Sequence, residues 1–208
     1  AVLGSLAERY PTTHVFSFAA PDAVWLGATP ERLVTLHAGV VRSASLPSSR
    51  PRGRDAAEDE RLGRELFESG KERAEHRFVV EAVRQALEPA CTMLTVPREP
   101  ELMKVANIQH LYTPVTGHVR DGVDVLELVE RMHPTPAVGG WPKPEALAAI
   151  RDLESMDRGW YAGPIGRLGL DGNGEFAVGL RSGLIRGETA RLYAGAGNTW
   201  LDEKGPGL

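Results

Sequence analysis

Strand-forming segments occupy both ends of this 208-residue chain and helix-forming segments occupy its middle, and this order constrains the fold more than any other feature. Short β-branched and aromatic runs separated by turn residues dominate the first 45 residues and the last third. Between them, Val79, Val83 and Ala86 recur at i, i+4 and i+7, the period of a helix face. Strands on both sides of a helical block predict an α+β fold, not an alternating α/β fold.

The individual elements follow from periodicity and from turn residues. The predicted strands are 14–19, 24–27, 32–37, 39–43, 91–96, 110–119, 163–168, 175–183 and 191–197. The predicted helices are 55–87, broken or bent at Gly70, then 123–132 and 145–156. Segments 45–54 and 133–144 are rich in turn residues and are predicted as loops, and Pro114 indicates an edge or a bulge in its strand. No linker divides the chain, so we expect one domain over residues 1–208.

Composition excludes several classes of protein. A net charge of −4 creates no strong field of one sign, so we expect no nucleic-acid partner. Cys91 is the only cysteine, which suits a reducing compartment. No apolar run approaches the ~20 residues that cross a bilayer, and the start lacks a signal-peptide pattern. We therefore expect a cytoplasmic monomer without membrane contact, and the absence of an initiator Met suggests a piece cut from a longer chain.

Two glutamates at the start of the best helix are candidate metal ligands. Glu72 and Glu75 are three positions apart, so they project from one face, which continues into the apolar stripe. Two carboxylates near a core repel each other unless a positive group lies between them, and Mg²⁺ accepts such ligands together with water and substrate oxygens. The alternative is a solvated first turn, where acidic residues favour the helix N-terminus.

Arg181 is a candidate carboxylate-binding residue. Strand alternation over 175–183 predicts that it shares a face with Ala177 and Gly179, which leaves room for a ligand that a guanidinium holds through two hydrogen bonds. The alternative is an edge-strand arginine paired with a surface acid. If both candidates are functional, the two glutamates face the arginine across a cavity that fits a small dicarboxylate.

Other candidates are weaker on spacing alone. Gly195 and Gly197 would alternate on one side of a strand, as at sites of close backbone approach. His110 in an apolar segment is most often a hydrogen-bonded core histidine. The arginines at 42, 50, 52 and 54 lack interleaved aromatic residues, which favours a solvated loop over an anion-binding patch.

Taken together, eight ordered segments between about residues 13 and 198 resemble the chorismate-utilising enzymes, most closely the isochorismate synthases of menaquinone and siderophore pathways. The segments are GATPERLV (27–34), RPRGR (50–54), KERAEHRFVVEAV (71–83), IQHLYTPVTG (108–117), HPTPAVGGWP (133–142), ESMDRGWYAGPIG (154–166), GEFAVGLRSG (174–183) and YAGAG (193–197). The family includes salicylate, anthranilate and aminodeoxychorismate synthases. The resemblance implies large antiparallel sheets packed between helical layers, of which this chain is the central and C-terminal part.

The resemblance also implies the reaction: water adds at C2 of chorismate while the C4 hydroxyl departs and the double bond migrates, giving isochorismate, with Mg²⁺ at a substrate carboxylate. It implies a role for each matching position. Glu31 would be the general acid, His110 would line the ring site, and Ser49 would contact substrate. Glu72 and Glu75 would be the glutamates on the metal side. Tyr161 and Arg181 would bind the second carboxylate of the substrate. At Gly195 and Gly197 the backbone would approach the substrate closely.

Three departures from the family pattern leave alternatives open. The family has Ala-Gly-Thr where this chain has Pro47, Ser48 and Ser49. The family's lysine base lies upstream of segment 27–34, whereas the first lysine of this chain is Lys71. The acidic segment that follows AGAG in the family is matched poorly by Asp202 and Glu203. The alternatives are therefore a catalytically impaired chorismate-binding remnant, or a salicylate or anthranilate type of chorismate enzyme.

Overall fold

Two antiparallel sheets and a set of flanking helices form the structure, a computed structural model that describes residues 2–46, 48–105 and 107–195. The helices are α1 (Val2–Arg9), α2 (Ala56–Glu68), α3 (Gly70–Leu87), α4 (Val125–Met132), α5 (Pro136–Gly139) and α6 (Lys143–Leu153), with a 3₁₀ turn at Glu88–Ala90. The strands are β1 (His14–Ala20), β2 (Ala23–Thr29), β3 (Arg32–His37), β4 (Val40–Ser45), β5 (Ser49–Pro51), β6 (Cys91–Thr95), β7 (Glu101–Lys104), β8 (Ile108–Val119), β9 (Pro164–Leu168), β10 (Gly174–Val178), β11 (Ser182–Arg186) and β12 (Thr189–Leu192).

The smaller sheet has the strand order β1-β2-β11-β12, and the larger sheet has the order β5-β8-β4-β3-β10-β9. The long strand β8 also pairs with β6 and β7. The pairings within both sheets are antiparallel, which confirms the α+β prediction. None of the helices in the described part of the chain is long and apolar enough to span a membrane.

The main core lies between the larger sheet and two helices. Helix α3 packs on β4 and β8, and α4 packs on β3, β9 and β10. Fully or almost fully buried side chains from both layers meet there: Leu33, Val34, Val41, Val115, Val178, Val83, Leu87, Val125 and Leu128. Burial of side chains of this size stabilises the fold by about 1.5–3 kcal/mol each.

The chain crosses between the two sheets at two adjacent places. Strand β2 of the smaller sheet continues through Pro30 and Glu31 into β3 of the larger sheet, and β10 of the larger sheet continues through residues 179–181 into β11 of the smaller one. Since β2 pairs with β11 and β3 pairs with β10, the crossings run side by side. The Val178 N–H donates to the Glu31 carbonyl at 2.9 Å, and the Ala28 N–H donates to the Arg181 carbonyl at 3.3 Å. We call these two paired connections, residues 28–31 and 178–181, the crossing pair.

Most predicted elements are confirmed. The long helical block is interrupted as predicted: Ser69 ends α2 and caps α3 by accepting a hydrogen bond from the Glu72 N–H. Pro114 lies between the stretches of β8 that pair with β6 and with β7, so its missing N–H falls where one side of the strand has no partner.

Several predictions about elements are wrong; among them, segment 133–144 is predicted as a loop, but α5 and the first residues of α6 form within it. Helix α1 replaces the strands expected at the start, and β5 and β7 form in segments without a strand pattern because β8 offers them pairing positions. The predicted strand over 175–183 is two strands in different sheets. Strand β12 ends at Leu192, well before the predicted end, and the last two positions of that prediction lie outside the described residues.

Candidate active site

Glu31 lies in the crossing pair, and its N–H, its carbonyl and its carboxyl group each make a hydrogen bond. The buried Thr29 hydroxyl donates to the Val178 carbonyl at 2.6 Å and accepts from the Glu31 N–H at 3.2 Å. The Thr135 hydroxyl donates to Oε1 of Glu31 at 3.3 Å. Burial raises the pKa of the Glu31 carboxyl, and the hydrogen bond from Thr135 opposes that rise. A carboxyl that keeps its proton to higher pH is suited to act as a general acid.

Arg181 lies in the other connection of the crossing pair, between β10 and β11, and the structure corrects the prediction that it sits on a regular strand face. A Cβ at Gly179 would lie 2.3 Å from the Trp25 ring, so only glycine fits at this position beside the ring. Arg181 then takes the left-handed region with φ +47, a strained conformation for a residue with a Cβ. The residue is exposed, and no ion pair engages it within the described ranges, which leaves its guanidinium available for a carboxylate.

Tyr161 lies beside the crossing pair because its neighbours bond to Gly179. The Ala162 N–H donates to the Gly179 carbonyl at 3.1 Å, and the Gly179 N–H donates to the Gly163 carbonyl at 2.8 Å. The Tyr161 ring stacks on Tyr193 with ring centroids 5.1 Å apart. Burial raises the pKa of the Tyr161 hydroxyl, which therefore remains a hydrogen-bond donor at neutral pH.

Gly195 approaches the same tyrosine closely. A Cβ at this position would lie 2.6 Å from the Tyr161 hydroxyl oxygen, so a larger residue would displace that hydroxyl. The close approach fits the interpretation of the YAGAG segment, although residues 193–195 do not form a strand. Gly197 lies outside the described residues.

A second group of predicted residues gathers where β5 and β8 meet the start of α3. Ser49 and His110 are directly opposite each other in the β5–β8 pairing. Nδ1 of His110 is buried without a hydrogen-bond partner among the described residues, and burial lowers the pKa of this imidazole. His110 is therefore neutral, and it is not the fully hydrogen-bonded core histidine of the alternative interpretation.

Glu72 is tied to the loop that precedes α2. Nη1 of Arg50 lies 2.9 Å from Oε1 of Glu72, whose side chain is only 15% exposed. The Ser48 hydroxyl donates to the Glu72 carbonyl at 3.1 Å, so Ser48, at a position where the family resemblance implies glycine, binds the first turn of α3. The neighbouring arginines 52 and 54 pair with Asp59 and Glu58, so these three arginines are ion-paired within the chain and do not form an anion-binding patch.

Glu75 is half-buried one helical turn after Glu72. The next residue, His76, is buried, and its Nε2 lies 2.7 Å from the Thr113 hydroxyl of β8. Burial and, to a smaller extent, the nearby charge of Arg73 together lower the pKa of His76 to about 4. The neutral histidine fixes the first turns of α3 on the sheet, and both glutamates are thereby kept off the fully solvated side of the helix.

Few side chains that could bind a metal ion lie at the start of α3 in the described part of the chain. Within residues 2–46, 48–105 and 107–195, no group of three or more His, Cys, Asp and Glu side chains has a metal-binding arrangement. Glu72 and Glu75 remain, with one oxygen of Glu72 bonded to Arg50. Mg²⁺ is commonly bound through one or two protein carboxylates plus water and substrate oxygens, so this pair fits Mg²⁺.

Both groups lie toward the same end of the larger sheet. Strand β3 begins directly after Glu31, its neighbour β4 ends at Ser45, and Ser45 pairs with Thr113, the residue that contacts His76. Helix α5 packs on α3, and the residue before α5, Thr135, bonds to Glu31. The fold thus brings the general-acid candidate and the acidic helix start toward one region.

Two cavities formed by described residues do not contain the two glutamates or the arginine between which a cavity is predicted. One cavity of about 220 Å³ lies between α3, α4 and the segment 134–143, and its wall includes Thr135. The other, of about 140 Å³, is lined mainly by aromatic side chains that include Trp25 and Tyr161. Neither has Glu72, Glu75 or Arg181 in its wall, so the joint cavity stays a prediction.

Sequence reasoning missed Thr29, Thr135 and Tyr193 as contributors to the site. Thr135 carried a usable signal, since a threonine directly before a proline at the first helical position is typical of a helix start. Thr29 and Tyr193 act through contacts with residues that are distant in sequence, Val178 and Tyr161, and no local pattern indicates these contacts.

Comparisons with known proteins identify relatives over most of the chain. The model of a family described as chorismate binding enzyme matches residues 1–198. The chain is 45% identical over 196 residues to the salicylate biosynthesis isochorismate synthase of Pseudomonas aeruginosa, covering 94% of this chain and 41% of that protein. It is 43% identical to the isochorismate synthase MenF of Bacillus subtilis, covering 94% of this chain and 42% of that protein.

A solved structure of an isochorismate synthase has a similar fold. The menaquinone-specific isochorismate synthase MenF of Escherichia coli superposes with a TM-score of 0.80 at 30% identity, covering 93% of this chain and 45% of that chain. The chain therefore spans less than half the length of these relatives.

Proposed function

Because the chain belongs to the chorismate binding enzyme family, we propose that it carries the site of an isochorismate synthase, which converts chorismate to isochorismate with Mg²⁺. The observation that supports this most is the crossing pair, whose two connections carry a half-buried carboxyl, Glu31, opposite Val178, and an exposed arginine, Arg181, three positions further along, which has no ion pair within the described residues. Those are the groups that an acid-catalysed reaction of a dicarboxylate requires.

In the proposed reaction, Glu31 gives its proton to the C4 hydroxyl of chorismate, which leaves as water. A second water molecule adds at C2 and loses a proton to solvent, the two ring double bonds shift, and a proton from solvent restores the acid form of Glu31, so atoms and charge balance. The raised pKa of Glu31 keeps the acid form available. Proton transfer from a positioned carboxyl typically contributes ~10²–10⁴-fold to the rate.

The substrate carboxylate distal to the metal would be bound by Arg181 and Tyr161. A guanidinium and a phenolic hydroxyl both donate hydrogen bonds, and a carboxylate accepts several. The lack of a side chain at Gly195 keeps the Tyr161 hydroxyl accessible, and we propose the same role of close backbone approach for Gly197. Ser49 and His110 would line the ring side, where the unpaired Nδ1 of His110 supports contact with a ring oxygen.

Mg²⁺ would be held by Glu75 and by the oxygen of Glu72 that Arg50 leaves free. When bound, the ion supplies positive charge that neutralises the other substrate carboxylate and fixes its position. Arg50 keeps the charge at the start of α3 balanced, which limits repulsion between the two glutamates. We further propose a cytoplasmic monomer whose small-molecule partner is chorismate.

Product analysis tests the proposal. The chain is incubated with chorismate and Mg²⁺, and the products are separated by chromatography. Isochorismate is expected, and its absence with the Glu31→Gln variant would link the activity to this site. Release of pyruvate with salicylate would indicate a salicylate type of enzyme, and anthranilate formed with ammonia would indicate the amine-forming type. Binding of chorismate without product would indicate a catalytically impaired remnant. Each of these outcomes contradicts the proposal.

A further inference from the structure

Thr135 occupies a helix-capping position without using its side chain as a cap. It precedes α5, and its carbonyl accepts hydrogen bonds from the Val138 and Gly139 N–H groups. A threonine at this position normally accepts a hydrogen bond from the first helical turn through its side-chain oxygen. Here the hydroxyl makes no such bond.

The hydroxyl is directed to Glu31 instead. It donates to Oε1 at 3.3 Å, and Thr135 is only 9% exposed, so water competes little for this contact. The 3.3 Å separation is longer than the ~2.7 Å typical of O–H···O bonds, and hydrogen bonds at catalytic groups often shorten when substrate binds. The Glu31 backbone is fixed independently by Thr29 and Val178, so Thr135 is the described residue that orients the carboxyl group itself.

We propose that Thr135 is a positioning residue that makes Oε1 of Glu31 the carbonyl oxygen and leaves Oε2 to carry the acidic proton. A threonine hydroxyl has one hydrogen, and it is given to Oε1. In a protonated carboxyl the oxygen that accepts a hydrogen bond is the carbonyl oxygen, and the other oxygen bears the proton. This inference rests on the proposed role of Glu31 as the acid and adds which oxygen delivers the proton.

The contact has a consequence for pH dependence. A hydrogen bond donated to the carboxylate favours the charged form, so Thr135 lowers the pKa of Glu31 against the effect of burial. Without the hydroxyl, the pKa of Glu31 rises further. Since a general acid works in its protonated form, the alkaline limb of kcat/KM then moves to higher pH, while kcat falls because the acid is no longer oriented.

The test is an NMR titration of the chain with ¹³C-labelled glutamate side chains, in which the Glu31 signal is identified by its loss in Glu31→Gln. Thr135→Val is expected to raise the pKa of Glu31, and Thr135→Ser is expected to return it toward the wild-type value. Thr189→Val is the matched control: this hydroxyl bonds to the Arg186 carbonyl in an exposed turn, so the pKa of Glu31 should not change. If Thr135→Val does not fold, Thr135→Ala removes the same hydroxyl.

The kinetic readout is kcat/KM against pH with chorismate. Thr135→Val is expected to lower kcat by about tenfold, a part of the ~10²–10⁴-fold that a positioned acid supplies, and to shift the alkaline limb upward. A Glu31 titration identical in wild type and in the variants without the hydroxyl would overturn the inference. If wild type titrates as expected but makes no isochorismate, the proposed function fails and the coupling between Thr135 and Glu31 stands.

Discussion

At the scale of single residues, Glu72 of the proposed metal-binding pair already takes part in an ion pair with Arg50. Glu72 gives one oxygen to Arg50 and is 15% exposed, whereas Glu75 lies one turn further along α3 beside the anchored His76. A cation competes with a guanidinium for Glu72.

Glu75→Gln should raise the Mg²⁺ concentration needed for half-maximal activity by at least about tenfold, because losing even a hydrogen-bond partner of a ligand costs ~10–100-fold in metal affinity. Glu72→Gln should also raise this concentration. Calorimetric titration of Mg²⁺ in the presence of chorismate checks both. Glu65→Gln, at an exposed ion pair of α2, is the control. Unchanged metal titration in Glu75→Gln would restore the solvated-turn interpretation of this pair.

Sequence patterns indicated the candidate site residues but did not predict their conformations. The spacing of Glu72 and Glu75 predicted a common face, and both are half-buried as that face requires. The small neighbours of Arg181 indicated it as a candidate, but no local pattern indicated its left-handed backbone or the close approach of Gly179 to the ring of Trp25, 154 positions earlier in the chain. A local pattern carries no information about such a contact.

At the scale of secondary-structure elements, a buried ion cluster connects α2 to the rest of the chain. Asp59 on α2 accepts from Nε and Nη2 of Arg52 at 2.6 and 3.1 Å, from Lys104 of β7 at 2.8 Å, and from the Gly53 N–H at 2.9 Å. Arg52 also donates to the Val105 carbonyl at 2.7 Å. Loop 50–54, helix α2 and strand β7 are therefore joined through one carboxylate.

Asp59→Asn should lower the melting temperature at neutral pH and increase hydrogen exchange in α2, because Arg52 and Lys104 lose their common partner. Hydrogen bonds from Arg52 first, and then from Lys104 and Gly53, hold the pKa of Asp59 well below its ordinary value of 3.8. Its stabilising effect is thus fully present above that pH and is lost as the pH falls below it, so the difference between wild type and variant should shrink in acid.

Thermal unfolding monitored by circular dichroism at several pH values measures this difference. Glu60→Gln removes an exposed ion pair with Arg64 on the same helix and should change the melting temperature little. Equal effects of the two substitutions at neutral pH would contradict the role of the Asp59 cluster.

The crossing pair depends on the absence of a side chain at Gly179. Gly179→Ala would place a Cβ 2.3 Å from the Trp25 ring, and we expect it to destabilise the chain by about 1–3 kcal/mol, as for other overpacked sites. Gly70→Ala is the matched control, because nothing lies within 4 Å of a Cβ there and α3 begins at this residue. Urea unfolding of both variants provides the comparison, and equal stability of Gly179→Ala and wild type would refute the close approach.

Elements with a strong local period were predictable, and those that depend on pairing were not. Helices α2, α3 and α4 and strands β1 to β4 follow from residue patterns that the structure reproduces. Strands β5 and β7 form because β8 is long enough to pair with both. Helix α1 buries no residue, and its contacts with β1 and β2 could not be anticipated from its own sequence.

At the scale of the whole molecule, the site results from the way the chain passes between its two sheets. Because β2 pairs with β11 and β3 pairs with β10, the two crossings lie side by side and bring together residues 150 positions apart, Glu31 and Arg181. The α+β class was predictable from the order of elements. The partition of the strands into two sheets was not, because it depends on long-range pairing.

Calorimetric titration of chorismate into the chain in the presence of Mg²⁺ tests the central claim, that the crossing pair binds the substrate through Arg181. Wild type should bind, and Arg181→Gln should bind at least about tenfold more weakly, since hydrogen bonds to charged groups contribute ~1.5–3 kcal/mol. Arg167→Gln, at a side chain that is 84% exposed on β9, should bind like wild type. Equal affinity of wild type and Arg181→Gln, or no binding by wild type, would contradict the account.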